Sequence, residues 1–145
     1  MIKAYFSDIE SAIVKSLHHC DEVHVCSAWF SSVPILDALS ICDSKLLVTQ
    51  QRKYLQGSSE YSDHDYNLIC KNVSEFYMGR IGLMHNKYMV LLNDGEPYSV
   101  WTGSYNFTSA APYNDENCLY LQSPELAKVY DEDFQRLVKG AIRLI

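Results

Sequence analysis

The feature that most constrains this chain is a pair of apolar runs hinged on Asn93-Asp94-Gly95. Gly and Asn accept the positive φ that a tight hairpin turn needs, so the tripeptide carries strong turn chemistry. Ahead of it, His85-Asn86-Lys87-Tyr88-Met89-Val90-Leu91-Leu92 reads as a strand, and Tyr98-Ser99-Val100-Trp101-Thr102 reads as its return. Side chains alternate between the two faces of a strand, so His85 and Lys87 are expected on one face. Gly103-Ser104-Tyr105-Asn106 then brings Ser104 and Asn106 back toward them, and Asn114-Asp115-Glu116-Asn117 supplies a carboxylate ahead of another apolar run.

These residue types form a phosphate-handling set. An imidazole attacks or donates a proton, an ammonium holds a fixed charge, and a hydroxyl and an amide hydrogen-bond phosphoryl oxygens.

In that order the residues resemble the phospholipase D superfamily, whose signature runs His-x-Lys-x4-Asp-x6-Gly-Ser-x-Asn and is often followed by Glu-Asn. His85, Lys87, Gly103, Ser104, Asn106, Glu116 and Asn117 match it. The resemblance runs from an N-terminal strand to a helix at Ser123-Pro124-Glu125-Leu126, nearly the whole chain, and is greatest to the short, single-motif nuclease branch. It implies an α/β sandwich with a mixed central sheet flanked by helices. It also implies a catalytic set of His85, Lys87, Ser104, Asn106 and Glu116, with Asn117 beside the substrate. In that family one His attacks phosphorus to give a phosphohistidine and another protonates the leaving group.

The chain departs from the signature in one place. Leu92 stands where the Asp belongs, Asp94 comes two residues late, and Gly103-Ser104 arrives four residues late. A longer hairpin accounts for both shifts, and in the family that Asp is structural, at the turn.

One chain carries one such motif, so the second imidazole has to come from a second chain. The expectation is a homodimer with its active site on the two-fold axis. Tyr105, Phe107 or Tyr113 would pack across the interface, though each would serve equally as core. Glu116 is the acid that the motif places to fix the tautomer of His85. No Asp/Glu cluster at metal-ligand spacing accompanies the motif, so neither metal nor cofactor is expected, and transition-state charge falls to Lys87, Ser104 and Asn106.

With 145 residues, 48% of them hydrophobic and 21% charged, residues 1–145 are read as one globular domain. No apolar run approaches the roughly 20 residues that span a bilayer, and the first residues lack a signal-peptide core. No membrane anchor is expected, and the cytoplasm is the expected location. Cys20, Cys26, Cys42, Cys70 and Cys118 are odd in number and lack any C-x-x-C pair, as reduced thiols used for packing would be. A zinc site from His18, His19, Cys20 and Cys26 has the wrong spacing. The net charge of −6 argues against indiscriminate coating of nucleic acid. A nuclease needs only a local positive field, which Lys87, Arg80, Arg52 and Lys53 can supply.

Along the chain, Ile2 to Phe6 reads as a strand and Ser7-Asp8-Ile9-Glu10 as a capping box opening a helix with Ile9, Ala12, Ile13 and Leu17 inward. His18 and His19 suit that helix's C-terminal dipole. Glu22 to Phe30 is a second strand, whose final Trp29 or Phe30 stacks on a substrate base, lines an acyl pocket or fills the core. Pro34 marks a first helical turn, and Lys45 to Thr49 is a third strand. Gln50 to Ser62 reads as a loop in which Arg52, Lys53 and Tyr54 are candidates for substrate contact. Ser62 to Asp65 caps a short helix, with His64 at the surface, and Val73 to Met78 is a further strand. Ser123 caps a last helix with Pro124 in its first turn and Leu126, Tyr130, Phe134, Leu137 and Val138 as its apolar stripe.

The leading functional expectation is a metal-independent phosphodiesterase cleaving DNA or RNA through a phosphohistidine. A lipid phosphodiesterase of the phospholipase D type would favour an amphipathic surface helix, and no basic one stands out. A nucleic-acid-binding module that has lost activity is suggested by Leu92 alone, against five intact functional types.

Overall fold

The computed structural model of the chain describes residues 1–51, 54–55, 60–80 and 82–145, with the backbone alone over 60–65. In chain order the elements are β1 (Ile2–Tyr5), α1 (Ile9–Leu17), β2 (Glu22–Ser27), α2 (Val33–Leu39), β3 (Asp43–Val48), α3 (Glu60–Asn72) and β4 (Glu75–Met78). There follow β5 (Lys87–Asn93), β6 (Glu96–Gly103), β7 (Cys118–Leu121), α4 (Pro124–Lys139) and β8 (Ile142–Arg143). The strands form one sheet in the order β1-β7-β6-β5-β2-β3-β4-β8. The pairings β2/β3 and β3/β4 are parallel and the others antiparallel, so the sheet is mixed, as expected.

Both faces of the sheet are covered. Alternate residues of β2 divide between two cores: Val23 and Val25 pack with Ile9, Ile13, Leu17, Ile35 and Ile69 of α1 to α3, and Cys26 packs with Ala127 and Phe134 of α4. That is why β2 and β5 read as nearly continuous apolar runs. His24 points to the α4 side and is 2% exposed. Its Nε2 lies 2.6 Å from a Glu22 carboxylate oxygen, its Nδ1 meets Asp131, and its ring stacks on Phe134 at 5.0 Å, so it clamps α4 to the sheet.

The hairpin forms where the sequence puts it. Asp94 (φ 52°) and Gly95 (φ 77°) are both left-handed and Asn93 pairs with Glu96, which is the two-residue turn that matches strand twist. Asn93 Nδ2 donates to the His19 carbonyl at 3.0 Å, and Asp94 N donates to Asp21 Oδ2 at 3.0 Å.

Five expectations are corrected. α3 begins at Glu60, so Ser62 to Asp65 lie inside the helix instead of capping it. Asp8, not Ser7, caps α1, with φ at 53° and no side-chain bond to the first turn; left-handed backbone there rules out the capping box, and Glu10 accepts instead from Ser32 Oγ at 3.0 Å. β2 stops at Ser27, whose hydroxyl bonds the Trp29 carbonyl at 2.6 Å and pulls the chain out of the ladder. β5 begins at Lys87, leaving His85 just ahead of the strand. In α4, Leu126 is 42% exposed, and Ala127 takes its place in the stripe facing the sheet. The Ser123 cap holds, and the structure adds a Ser32 cap on α2, each serine accepting from a backbone N–H three residues on at 3.2 Å. The five cysteines are free thiols. Among the described residues, no helix is long and apolar enough to cross a membrane.

Candidate active site

Register brings the motif residues to one end of the sheet. Ser27 at the end of β2 pairs with Lys87 at the start of β5, Tyr88 pairs with Thr102 near the end of β6, and Gly103 pairs with Cys118 at the start of β7. Antiparallel pairing sets the C-terminal ends of β2 and β6 beside the N-terminal ends of β5 and β7, so the segments joined to them converge there. His85 is exposed, but the chain on either side of it is anchored: Met84 is buried with its sulfur 3.3 Å from Cys26 Sγ, and Asn86 O accepts from Ala28 N at 3.1 Å.

Lys87 Nζ lies 3.0 Å from His85 Nδ1 and donates to the His85 carbonyl at 2.8 Å. The two thus meet as the sequence spacing implies, although His85 is outside the strand. Burial draws the Lys87 pKa below the ordinary lysine value, and the nearby Glu116 carboxylate opposes that shift. The Trp29 ring meets the His85 ring edge-on at 5.5 Å, which puts this half-buried indole at the site and leaves its partner Phe30 in the core.

Glycine is required at 103. A Cβ there would sit 2.3 Å from the Asn117 carbonyl oxygen and 2.9 Å from Cys118 Cα, so only a bare α-carbon lets β7 approach. That approach joins the two motif segments: Ser104 N donates to the Asn117 carbonyl at 3.1 Å, and Asn117 N donates to Ser104 Oγ at 3.1 Å. Ser104 Oγ donates to Glu116 Oε1 at 2.5 Å, and Asn114 Nδ2 approaches the other carboxylate oxygen at 3.5 Å. In this arrangement Glu116 orients the serine hydroxyl, and the nitrogens of His85 face Lys87; the expected Glu116–His85 bond is replaced by these two contacts. Asn106 Oδ1 accepts from Trp29 N at 3.4 Å.

His85, Lys87, Ser104 and Asn106 line one open cleft of about 730 Å³. Its other wall, which the motif does not mark, is Tyr88, Thr102, Tyr130 and Asp133. Tyr88 OH donates to Asp133 Oδ2 at 2.9 Å, and burial pushes the Tyr88 pKa well up. The only signal for that wall was the polar atom on each of two residues assigned to apolar stripes. Of the aromatic residues considered for an interface, Tyr105 and Phe107 are buried in this chain's own core and Tyr113 is 90% exposed. Arg52 and Lys53, and the loop centred on Gly57-Ser58-Ser59, lie outside the described residues, as does the side chain of His64. His18 and His19 sit by the hairpin turn, at the opposite end of β5 from His85. Among the described residues, no group of three His, Cys, Asp or Glu side chains is arranged to hold a metal ion.

Residues 11–138 match a family model described as "Cardiolipin synthase, PLD-like domain". A protein of Acanthamoeba polyphaga mimivirus is 21% identical, over 95% of this chain and 65% of that protein; this chain thus spans about two thirds of the relative's length. Among solved structures, Nuc from Salmonella typhimurium, described as a phospholipase D family member, superposes with a TM-score of 0.80 at 19% identity, covering 99% of this chain and 97% of that one. NucT from Helicobacter pylori superposes with a TM-score of 0.78 at 13% identity, covering 98% of each chain. At such identities these two likenesses show the fold.

Proposed function

The chain belongs to the phospholipase D-like family whose model it matches over residues 11–138, and from that premise we propose that it is a metal-independent phosphodiesterase cleaving nucleic acid. The observation that carries this reading is the convergence of His85, Lys87, Ser104 and Asn106 on one cleft. A His85 ring nitrogen attacks phosphorus, the bond to the leaving oxygen breaks, and water later hydrolyses the P–N bond to free the enzyme. In the free protein the Lys87 ammonium is spent on the His85 ring and carbonyl. An arriving phosphoryl group offers it stronger acceptors, which releases the imidazole to attack. As charge grows on the phosphoryl oxygens, the Asn106 amide nitrogen donates to them, and the Ser104 hydroxyl does so by turning its proton from Glu116 to the substrate. We read residues 1–145 as one such domain working in the cytoplasm, in keeping with its free thiols.

A labelled panel of single- and double-stranded DNA, RNA and phospholipid, incubated in EDTA, tests the reading. Cleavage of a nucleic acid should be undiminished by the chelator, since the charge on phosphorus is met by an ammonium, a hydroxyl and an amide. Activity that disappears in EDTA and returns with magnesium or manganese overturns the mechanism. A lipid phosphodiesterase is the second reading, favoured by the family description and by Val129, 60% exposed on the cleft wall; turnover of phospholipid alone would establish it.

The leaving oxygen needs a proton from a second group, and His85 is the one histidine among the described residues lining the cleft. We therefore propose a homodimer in which a second copy's His85 faces the first across one phosphorus. Equal mixing of wild-type and His85→Ala chains should leave about one quarter of the activity, against about one half for independent sites. A fully active monomer by sedimentation would rule the shared site out.

A further inference from the structure

His85 and Asn86 line not one cleft but two. On the far side of His85 lies a second opening of about 600 Å³, bounded by Arg80 and Arg136 over an apolar floor of Leu83, Met84 and Leu137. We propose that it is a second phosphate subsite, where Arg80 and Arg136 hold the phosphodiester next along a nucleic-acid strand from the one at His85. The proposal rests on the nuclease reading above.

Charge separates the two clefts. The first is lined by Lys87 and Asp133 and the second by both arginines with, among the described residues lining it, no carboxylate; Asp133 pairs with Arg136 at 2.7 Å, so the two clefts together keep a positive excess. An anionic group is therefore drawn to the second cleft even though the net charge of the protein is −6. Arg136, its side chain 68% exposed, is oriented by Asp133: its Nη2 and Nε donate to Asp133 Oδ1 at 2.7 and 3.2 Å, and Tyr88 holds the other oxygen of that carboxylate. Two of the five guanidinium N–H groups are used, which leaves a positioned fork for phosphate. Arg80 follows Gly79, whose N–H is tied to the Val48 carbonyl at 3.0 Å, so its backbone starts from the rigid end of β4. The exposed Leu83 gives a sugar or base an apolar surface at this cleft. A single-headed phosphodiester would leave this cleft empty, whereas a strand fills both.

The test compares kcat/KM on a labelled oligonucleotide that the wild-type protein cleaves with kcat/KM on bis(p-nitrophenyl) phosphate, which offers a single phosphodiester. Arg80→Ala and Arg136→Ala should each lower the ratio of the two about ten- to a hundredfold, the scale of a lost charged hydrogen bond. Each should also reduce the slope of log kcat/KM against log salt by roughly 0.7. Asp133→Asn combined with Arg136→Ala removes the carboxylate that the single change uncovers; recovery of the ratio there would overturn the part given to Arg136. Wild-type ratios and slopes in both single variants overturn the subsite. Wild-type protein that hydrolyses the aryl ester and no oligonucleotide overturns the nuclease reading itself, and with it the subsite.

Discussion

His85→Ala is expected to lower turnover by on the order of 10⁴–10⁶, the range for loss of a nucleophile that acts with its partners as a unit. The size follows from the site having no substitute. Lys87 is an ammonium with no free lone pair, the Ser104 hydroxyl is committed to Glu116 at 2.5 Å, and no other histidine among the described residues lines the cleft. In a two-fold dimer the change also removes the proton donor, since one residue supplies both roles. Stability should hardly change, because the ring is exposed and lies ahead of β5, where it carries no ladder bond. Single-turnover cleavage alongside a thermal melt checks both halves of the expectation. Near wild-type cleavage by a folded variant would show that His85 is not the nucleophile.

How far the site could be read in advance depended on whether sequence separation or tertiary packing set each position. His85 and Lys87 are two residues apart, and Ser104 and Asn106 likewise, so each pair is a local matter once the hairpin turn is recognised. The turn is local too, since its two left-handed residues are Asp94 and Gly95. Glu116 could be singled out from the motif, but its partner could not. Its choice of Ser104 depends on β7 closing against the bare α-carbon of Gly103, a contact between segments that no spacing rule reports. The clamp of His24 between Glu22 and Asp131 was equally hidden, because its members lie on β2 and α4. It is this clamp, with Phe134, that brings α4 against the sheet and so builds the Tyr130 and Asp133 wall of the cleft. The capping box failed for a different reason: a pattern of four residues names candidate bonds, and a left-handed Asp8 excluded them.

Restoring the family's acid by Leu92→Asp is expected to destabilise the protein by about 3–5 kcal/mol at neutral pH. By count from His85, position 92 is where the signature has Asp, so on the motif alone the change is a repair. The structure places Leu92 at 3% exposure in the core beneath α4, in the cluster of Val90, Val100, Ala127 and Phe134. A carboxylate there replaces two buried methyl groups with charged oxygens and leaves water without a cation to meet it. Its register partner across the sheet is Glu22, a like charge, and both nitrogens of His24 are already committed to carboxylates. Burial raises the pKa of such an Asp above its unfolded value. The penalty is therefore full above the raised folded-state pKa and shrinks as pH falls through it, as the group becomes neutral in the core. Urea midpoints at pH 7 and pH 5 should show the gap from wild type narrowing at the lower pH. Asp94→Ala, which strains one left-handed turn residue, should cost only about 1 kcal/mol. A Leu92→Asp protein as stable as wild type at pH 7 would mean that α4 does not pack where the structure has it, and that the turn acid has been lost here for some reason other than the core.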